Sequence, residues 1–106
     1  MSEPAEQVRP STRVRRPEWV AHVRDGDVTV LLHLPSARRL GLPAVGTAVW
    51  QQILASGAEG ASAEQIAAAV APAYDAEEAV IEQDVVRLLS DLVAADLVEI
   101  VTPSVR

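Results

Sequence analysis

The chain of 106 residues contains no cysteine, no lysine and no phenylalanine, and its aromatic side chains are Trp19, Trp50 and Tyr74. Without cysteine there is no disulfide, no thiolate ligand for zinc and no thiol nucleophile. Because large aromatic side chains supply much of the buried area in a small core, we expect each of these three aromatics to contribute disproportionately to its packing. No apolar run reaches the ~18 residues that a membrane-spanning helix requires.

The composition that is present predicts one globular domain. Hydrophobic residues make up 49% of the chain, which is typical of a folded protein with a single modest core. The N-terminus carries acids and prolines where a secretory signal requires basic and apolar stretches. We therefore expect a disordered tail over 1–11, the domain over 12–101 and a C-terminal tail over 102–106. We also expect a cytoplasmic protein that does not contact a membrane.

Charge is divided unevenly along the chain. Residues 1–42 hold seven arginines and five acidic residues, whereas residues 43–106 hold two arginines and ten acidic residues, which gives the net charge of −6. A recognition helix in the second half would repel DNA phosphates. A winged-helix regulator that binds DNA is the alternative from another functional class, but this charge pattern predicts no nucleic-acid partner.

Two turn signals divide the first half of the domain into three β-compatible runs. Asp25-Gly26 separates the runs 19–24 and 28–34, and it predicts a hairpin with a type I′ turn, in which both central residues have positive φ. A turn at Pro35-Ser36 then leads to a third strand over 37–41. If the strand order follows the chain, this third strand is an edge, to which an extended peptide can add.

The first helix begins near Pro43, a residue that suits a first helical turn. Val45, Val49 and Ile53 follow at helical spacing. Gly46 costs helix propensity, and either the close approach of another backbone segment or tolerance of glycine near a helix start would explain it.

Two more helices are predicted from capping patterns. Ser62 with Gln65 forms a capping box at the start of the second helix, which extends to about residue 70. Asp75 with Glu78 resembles a second cap, and the third helix follows over 77–95 with a broad apolar face. A short β-compatible segment, 97–101, ends the domain. The fold class is therefore α+β, with a three-stranded antiparallel N-terminal sheet followed by three helices.

No set of residues suggests catalysis. His22 and His33 are the two histidines, and neither has metal-ligand spacing around it, so we interpret both as surface-exposed strand residues. No serine lies in a nucleophile elbow, and there is no glycine-rich phosphate loop. The sequence predicts no catalytic residue, no metal and no cofactor.

Residues 42–53, L-P-A-V-G-T-A-V-W-Q-Q-I, resemble the L-N-x-x-G-x-x-I-W-x-x-L signature of the PqqD-like family. This family is also called the RiPP recognition element, after ribosomally synthesised and post-translationally modified peptides. Leu42, Gly46 and Trp50 match outright, whereas Pro43 replaces the usual asparagine and removes one helix-capping interaction. Asp96 stands where the family usually has glycine. Further positions that fit the family are Ile66, Val70, Tyr74, Asp84, Val85, Leu97, Val98 and Glu99.

The resemblance implies a winged helix-turn-helix-like domain without catalysis that binds the leader region of a precursor peptide by strand addition. Such a domain delivers the peptide to a processing enzyme. We prefer the lasso-peptide type, whose partner is a leader peptidase, because PqqD proper is usually more polar and less rich in alanine. The alternatives are a PqqD-type chaperone for a radical SAM enzyme and, more weakly, a structural subunit that packs its edge on a homologue.

The expected peptide site joins the third strand to the third helix, with Asp84 and Leu88 on a mixed apolar and acidic helix flank. Leu88 is expected to form the apolar floor, and the arginines of the strand either oppose self-pairing or bind ligand carboxylates. The full set of expected peptide-binding residues is Ala37, Arg38, Arg39, Leu40, Gly41, Ile81, Asp84, Val85 and Leu88.

Overall fold

The computed structural model of the protein describes residues 8–101. The remaining parts of the two expected tails, 1–7 and 102–106, lie outside the described residues. The strands are β1 (Arg13–Arg15), β2 (Val20–Asp25), β3 (Val28–His33), β4 (Arg38–Leu42), β5 (Ala61–Ser62) and β6 (Glu99–Ile100). The helices are α1 (Ala44–Ser56), α2 (Ala63–Val70) and α3 (Glu78–Ala94), with short 3₁₀ segments at Gly57–Glu59 and Ala71–Tyr74.

The expected three-stranded antiparallel sheet is present and has the order β2-β3-β4. Its first turn differs from the prediction, because Asp25 pairs with Val28 and the two turn residues are Gly26 and Asp27. Gly26 has φ +64°, whereas Asp25 and Asp27 do not have positive φ. A positive φ at the first central residue alone is the pattern of a type II′ turn, so the predicted type I′ turn is wrong.

The second turn shifts β4 by one residue relative to the expected range. Ala37 has φ +60°, and its N–H donates to the His33 carbonyl at 2.7 Å. Ala37 therefore belongs to the turn, and its assignment to the strand is wrong. The strand continues instead to Leu42, which pairs with Thr29.

A second antiparallel sheet, of order β5-β1-β6, was not expected from the sequence. Val14 at its centre pairs with Ala61 on one side and with Ile100 on the other. The Val101 N–H donates to the Arg13 carbonyl at 2.9 Å, which extends the pairing. The α+β class is as expected, and so is the order of a three-stranded sheet followed by three helices. The description as a winged helix-turn-helix is approximate.

The start of α1 contains Gly46 of the signature and Pro43, which replaces its asparagine. A Cβ atom on Gly46 would lie 3.1 Å from the Leu42 Cβ atom, so the close neighbour is a side chain and not another backbone segment. Pro43 is the N-cap and makes no side-chain cap hydrogen bond, as expected. The Thr47 hydroxyl donates instead to the Leu42 carbonyl at 3.2 Å.

The predicted caps of the other helices differ in outcome. At α2 the capping box is confirmed, because Ser62 Oγ accepts from the Gln65 N–H and Gln65 Oε1 accepts from the Ser62 N–H. At α3 the predicted cap is wrong. The N-cap is Glu77, which makes no side-chain cap bond, and Asp75 has the left-handed φ of 52°.

The hydrophobic core lies between the two sheets and the three helices, and it includes Trp50, which is fully buried as expected. The segment before β1 also contacts this domain, because Val8 packs against the core and the Pro10 carbonyl accepts from the Glu64 N–H at 3.1 Å. Within residues 8–101 no helix is long and apolar enough to cross a membrane.

Candidate functional site

The open edge of β4 can be assigned from the pairing of its neighbours. A two-residue turn makes Asp25 and Val28 a hydrogen-bonded pair, and hydrogen-bonded pairs alternate along an antiparallel ladder. Val28, Val30 and Leu32 therefore direct their backbone groups to β2. The Leu34 N–H donates to the Trp19 carbonyl at 3.0 Å, which agrees with this phase.

The intervening residues of β3 consequently bond to β4. Thr29, Leu31 and His33 face Leu42, Leu40 and Arg38, respectively. The backbone N–H and C=O groups of Arg39 and Gly41 then point away from β3, toward the side of β4 that has no neighbouring strand within the described residues. Two residues thus present up to four unpaired backbone groups to an extended ligand.

The side chains of β4 alternate between the two faces of its sheet. Leu40 lies on the face that also carries the buried Leu31 and Leu42, but it is itself 38% exposed. Arg39 is exposed on the opposite face. A strand added beside β4 would therefore direct every second side chain to the face that carries the exposed leucine.

The expected α3 residues divide into core and surface. Ile81 and Val85 are buried and belong to the core cluster, and Leu88 is partly buried against it. Asp84 is exposed. Among the described residues, no hydrogen bond or ion pair links Asp84 to β4, so the contacts do not bring the two expected parts of the site together.

Asp96 connects the β2-β3-β4 sheet to the end of α3. Its carboxylate lies 2.9 Å from His33 Nε2, and its backbone carbonyl accepts from the Trp19 indole N–H at 3.1 Å. Asp96 also terminates the helix, since its own N–H donates to Val93 and the next N–H donates to Leu92. These contacts fix where β3 sits relative to the C-terminal end of α3.

The sequence did not predict this link, and the expectation of a surface-exposed His33 is wrong, because its side chain is 15% exposed. His22 is exposed as expected, and its ring meets Trp50 edge-on with centroids 5.9 Å apart. The spacing His33 to Ser36 is compatible with a turn contact, but Asp96 lies 63 residues further along the chain. No local pattern identifies such a partner.

His33, Ser36 and Asp96 together contain the residue types of a hydrolase triad. Ser36 Oγ is 2.7 Å from His33 Nδ1, while Asp96 is on Nε2. The two ring nitrogens are exchanged relative to the serine-hydrolase arrangement, in which Nε2 faces the serine. The Ser36 hydroxyl also accepts from the Arg38 N–H at 3.3 Å. We therefore interpret the set as a structural tie between the turn before β4 and the end of α3.

Residues 29–98 match the family model described as "Coenzyme PQQ synthesis protein D (PqqD)". This chain belongs to the PqqD family. The matched segment of this PqqD-family chain begins in β3 and includes β4 and all three helices, so the open edge lies within the family domain.

Two solved structures resemble this PqqD-family chain. The first, "TbiB1 in Complex with the TbiA(beta) Leader Peptide", is 28% identical, with a TM-score of 0.73 over 84% of this chain and 99% of that one. The second, an NMR structure of the PqqD truncation of Methylobacterium extorquens PqqCD, is described as a functional and stand-alone RiPP recognition element. It is 27% identical, with a TM-score of 0.70 over 87% of this chain and 94% of that one. No curated protein matches the chain.

Proposed function

We propose that this chain binds the leader region of a ribosomally made precursor peptide by adding it as a strand to β4. The observation that carries the proposal is the open edge at which Arg39 and Gly41 direct their backbone groups outward. The likeness to TbiB1, whose structure contains a leader peptide, supports the same class of ligand. The likeness to the PqqD truncation of PqqCD, which is described as a functional RiPP recognition element, supports a recognition role.

Backbone pairing alone is too weak for this role. Four hydrogen bonds at about 1 kcal/mol each contribute about 4 kcal/mol, whereas micromolar binding requires about 8 kcal/mol after the ordering of the peptide has been offset. Buried apolar side chains must supply the difference, at about 1.5–3 kcal/mol each. Leu40, which lies on β4 itself and is 38% exposed, offers apolar surface at the edge.

The proposed site is formed by the β4 edge on one side and, on the other, by the α3 flank that carries Asp84 and Leu88. Asp84 is exposed and Leu88 is half-buried, so the flank offers one charged contact and one apolar contact. Ile81 and Val85 lie beneath it in the core and support its position. Arg38 and Arg39 are exposed at the edge, where their charge suits ligand carboxylates and opposes pairing between two copies.

The proposed role is delivery without catalysis, cofactor or metal. The bound leader holds the precursor near a processing enzyme, which raises the effective substrate concentration. We prefer a leader peptidase of a lasso-peptide pathway as the partner, and the alternative partner is a radical SAM enzyme. Purified candidates of each type, tested with the same precursor, would distinguish these two possibilities.

Proline substitution along β4 tests the strand-addition model. The probe is a fluorescent synthetic peptide copied from the leader region of a precursor, which is to be sought as a short open reading frame near the gene of this chain. Arg39→Pro removes an outward donor without removing a bond to β3, so we expect at least about tenfold weaker binding and a folded protein. Fluorescence anisotropy measures the affinity, and circular dichroism monitors the fold.

Two further variants test whether the loss of binding comes from the backbone N–H of Arg39. Arg39→Ala removes the same side chain but keeps the N–H, so its binding should fall much less than that of Arg39→Pro. Leu40→Pro removes a donor that faces Leu31, so it should destabilise the sheet itself. Normal leader binding by a folded Arg39→Pro variant would contradict strand addition at this edge.

A further inference from the structure

The strand β3 carries its polar and apolar side chains on the unexpected faces. Thr29 and His33 point to the face on which α1 packs, together with the buried Leu31. Val28, Val30 and Leu32 point to the opposite face. An antiparallel sheet with one covered face usually places polar residues on its other face. In β3 the uncovered face carries only apolar side chains, whereas the covered face carries Thr29 and His33 beside Leu31.

This uncovered face is continuous across the three strands. Val23 pairs with Val30, and Ala21 pairs with Leu32, while Gly41 lies on the other side of Val30. Val23 is 67% exposed and Val28 is 44% exposed. Ala21, Val30 and Leu32 are partly buried, but within residues 8–101 they are not among the side chains that pack against the core cluster. We call the set the outer patch: Ala21, Val23, Val28, Val30, Leu32 and Gly41.

The size of the outer patch distinguishes between its possible occupants. Six residues of strand by three strands span about 20 by 14 Å, or about 300 Å², which is well below the roughly 800 Å² per partner of a standard interface. A permanent dimer of this chain through the patch alone would therefore be too small. The area suits a transient contact with a different protein.

The position of the outer patch indicates which protein binds there. Arg39 lies on the same face and also on the open edge of β4, and it makes no ion pair within residues 8–101. A protein seated on the patch would therefore reach the bound peptide as well. We propose that the outer patch docks the processing enzyme, through an apolar surface with an acidic side chain opposite Arg39. This inference rests on the proposed function.

A bound leader would enlarge the docking surface. A strand added to β4 directs every second side chain to the face of the outer patch, so the sheet presents four strands instead of three. The enzyme would consequently bind the loaded domain more tightly than the empty one. By linkage, the enzyme would raise the affinity of the domain for the leader by the same factor.

The test compares enzyme docking with leader binding in the same variants. Val23→Thr combined with Val30→Thr changes a cross-strand pair on the patch, and threonine keeps the shape and strand preference of valine. The control is Val45→Thr at the start of α1, whose valine is 41% exposed, close to the 44% of Val28. The probes are the labelled leader and the purified leader peptidase that cleaves the same precursor.

We expect the double variant to bind the leader normally but the enzyme about tenfold more weakly, with the Val45→Thr variant unchanged in both assays. Loaded wild-type protein should bind the enzyme more tightly than empty protein. Unchanged enzyme binding by the double variant would overturn the docking proposal while leaving the proposed function intact. A wild-type dimer in ultracentrifugation that the double variant abolishes would show self-association instead. Failure of wild-type protein to bind the leader would overturn both proposals.

Discussion

Asp96 combines three structural roles in one residue. It ends α3 in the left-handed conformation with φ +63°, its carboxylate contacts His33 and its carbonyl accepts from Trp19. The two backbone bonds to Val93 and Leu92 form the pattern of a Schellman motif, in which glycine is the usual residue. The aspartate thus has a more strained backbone than glycine would have at this position, but its side chain links the helix end to the sheet.

Substituting glycine for Asp96 separates the effect of backbone strain from the effect of the side-chain contact with His33. Asp96→Gly should relieve left-handed strain by about 0.5–1 kcal/mol, less the contribution of a partly exposed hydrogen bond to His33. Asp75→Gly is the matched control, because Asp75 has φ +52° and makes no side-chain hydrogen bond within the described residues. Urea unfolding should show a larger gain for Asp75→Gly. A clear loss of stability in Asp96→Gly would mean that the His33 contact outweighs the strain.

Residues whose environment is set locally could be predicted from the sequence. Ser62 and Gln65 lie three positions apart and form the helix cap by themselves. Trp50 lies beside an apolar helical stripe, and its predicted place in the core is confirmed. The His33–Asp96 contact depends instead on tertiary placement. Ala37 gave no sign of its left-handed conformation, because alanine is not a residue type that favours it.

At the scale of elements, α3 carries the charged contact of the proposed site. Asp84→Asn keeps the shape of the side chain and removes its charge, so leader binding at low salt should weaken if Asp84 contacts the peptide. Glu82→Gln is the charge-matched control, because Glu82 lines a shallow cleft with Pro10 and Val86 elsewhere on the helix. Equal affinities for wild type and a folded Asp84→Asn variant would place Asp84 outside the site.

Leu88 tests the apolar part of the same flank. Truncation of a buried binding side chain typically costs about 2 kcal/mol, or roughly thirtyfold in affinity, and we expect this loss for Leu88→Ala. Because Leu88 also packs against the core, the variant should lose stability as well. Binding measured at a temperature where the variant is fully folded separates the two losses. Retained affinity under that condition would assign Leu88 to packing alone.

The elements that the sequence predicted are those long enough to show a period. The three strands of the larger sheet and the three helices each have at least five residues. The second sheet was missed because β5 and β6 have two residues each and β1 has three, too few for an alternating pattern to register. The edge strand was predicted within one residue, whereas the outward direction of Arg39 and Gly41 required the observed register.

For the whole molecule, the delivery model predicts activity only in combination. Mixing the chain with the precursor should leave the mass of the precursor unchanged, because the chain is proposed to hold substrate and not to react with it. Adding the partner peptidase should give cleavage that depends on this chain. A flexible fusion of the two proteins should preserve or raise the rate, since the linker replaces a bimolecular encounter.

Mass spectrometry over time measures both reactions. The precursor concentration should lie well below the KM of the peptidase alone, where tethering has its largest effect. The Arg39→Pro variant serves as the control for leader-dependent delivery. Equal cleavage rates with and without the domain at that concentration would contradict the model.

The small sheet has a consequence for how the domain can be joined to other proteins. β1 and β6 are neighbours, so the chain enters and leaves this fold in adjacent strands about 5 Å apart. Neither strand belongs to the β2-β3-β4 sheet. A tethered enzyme that follows the domain would start beside β1, whereas one that precedes it would start from the segment before β1, which packs on the core through Val8. A short loop between the two strands, with new ends cut at Gly26-Asp27, should likewise give a circular permutant that keeps the β4 edge free.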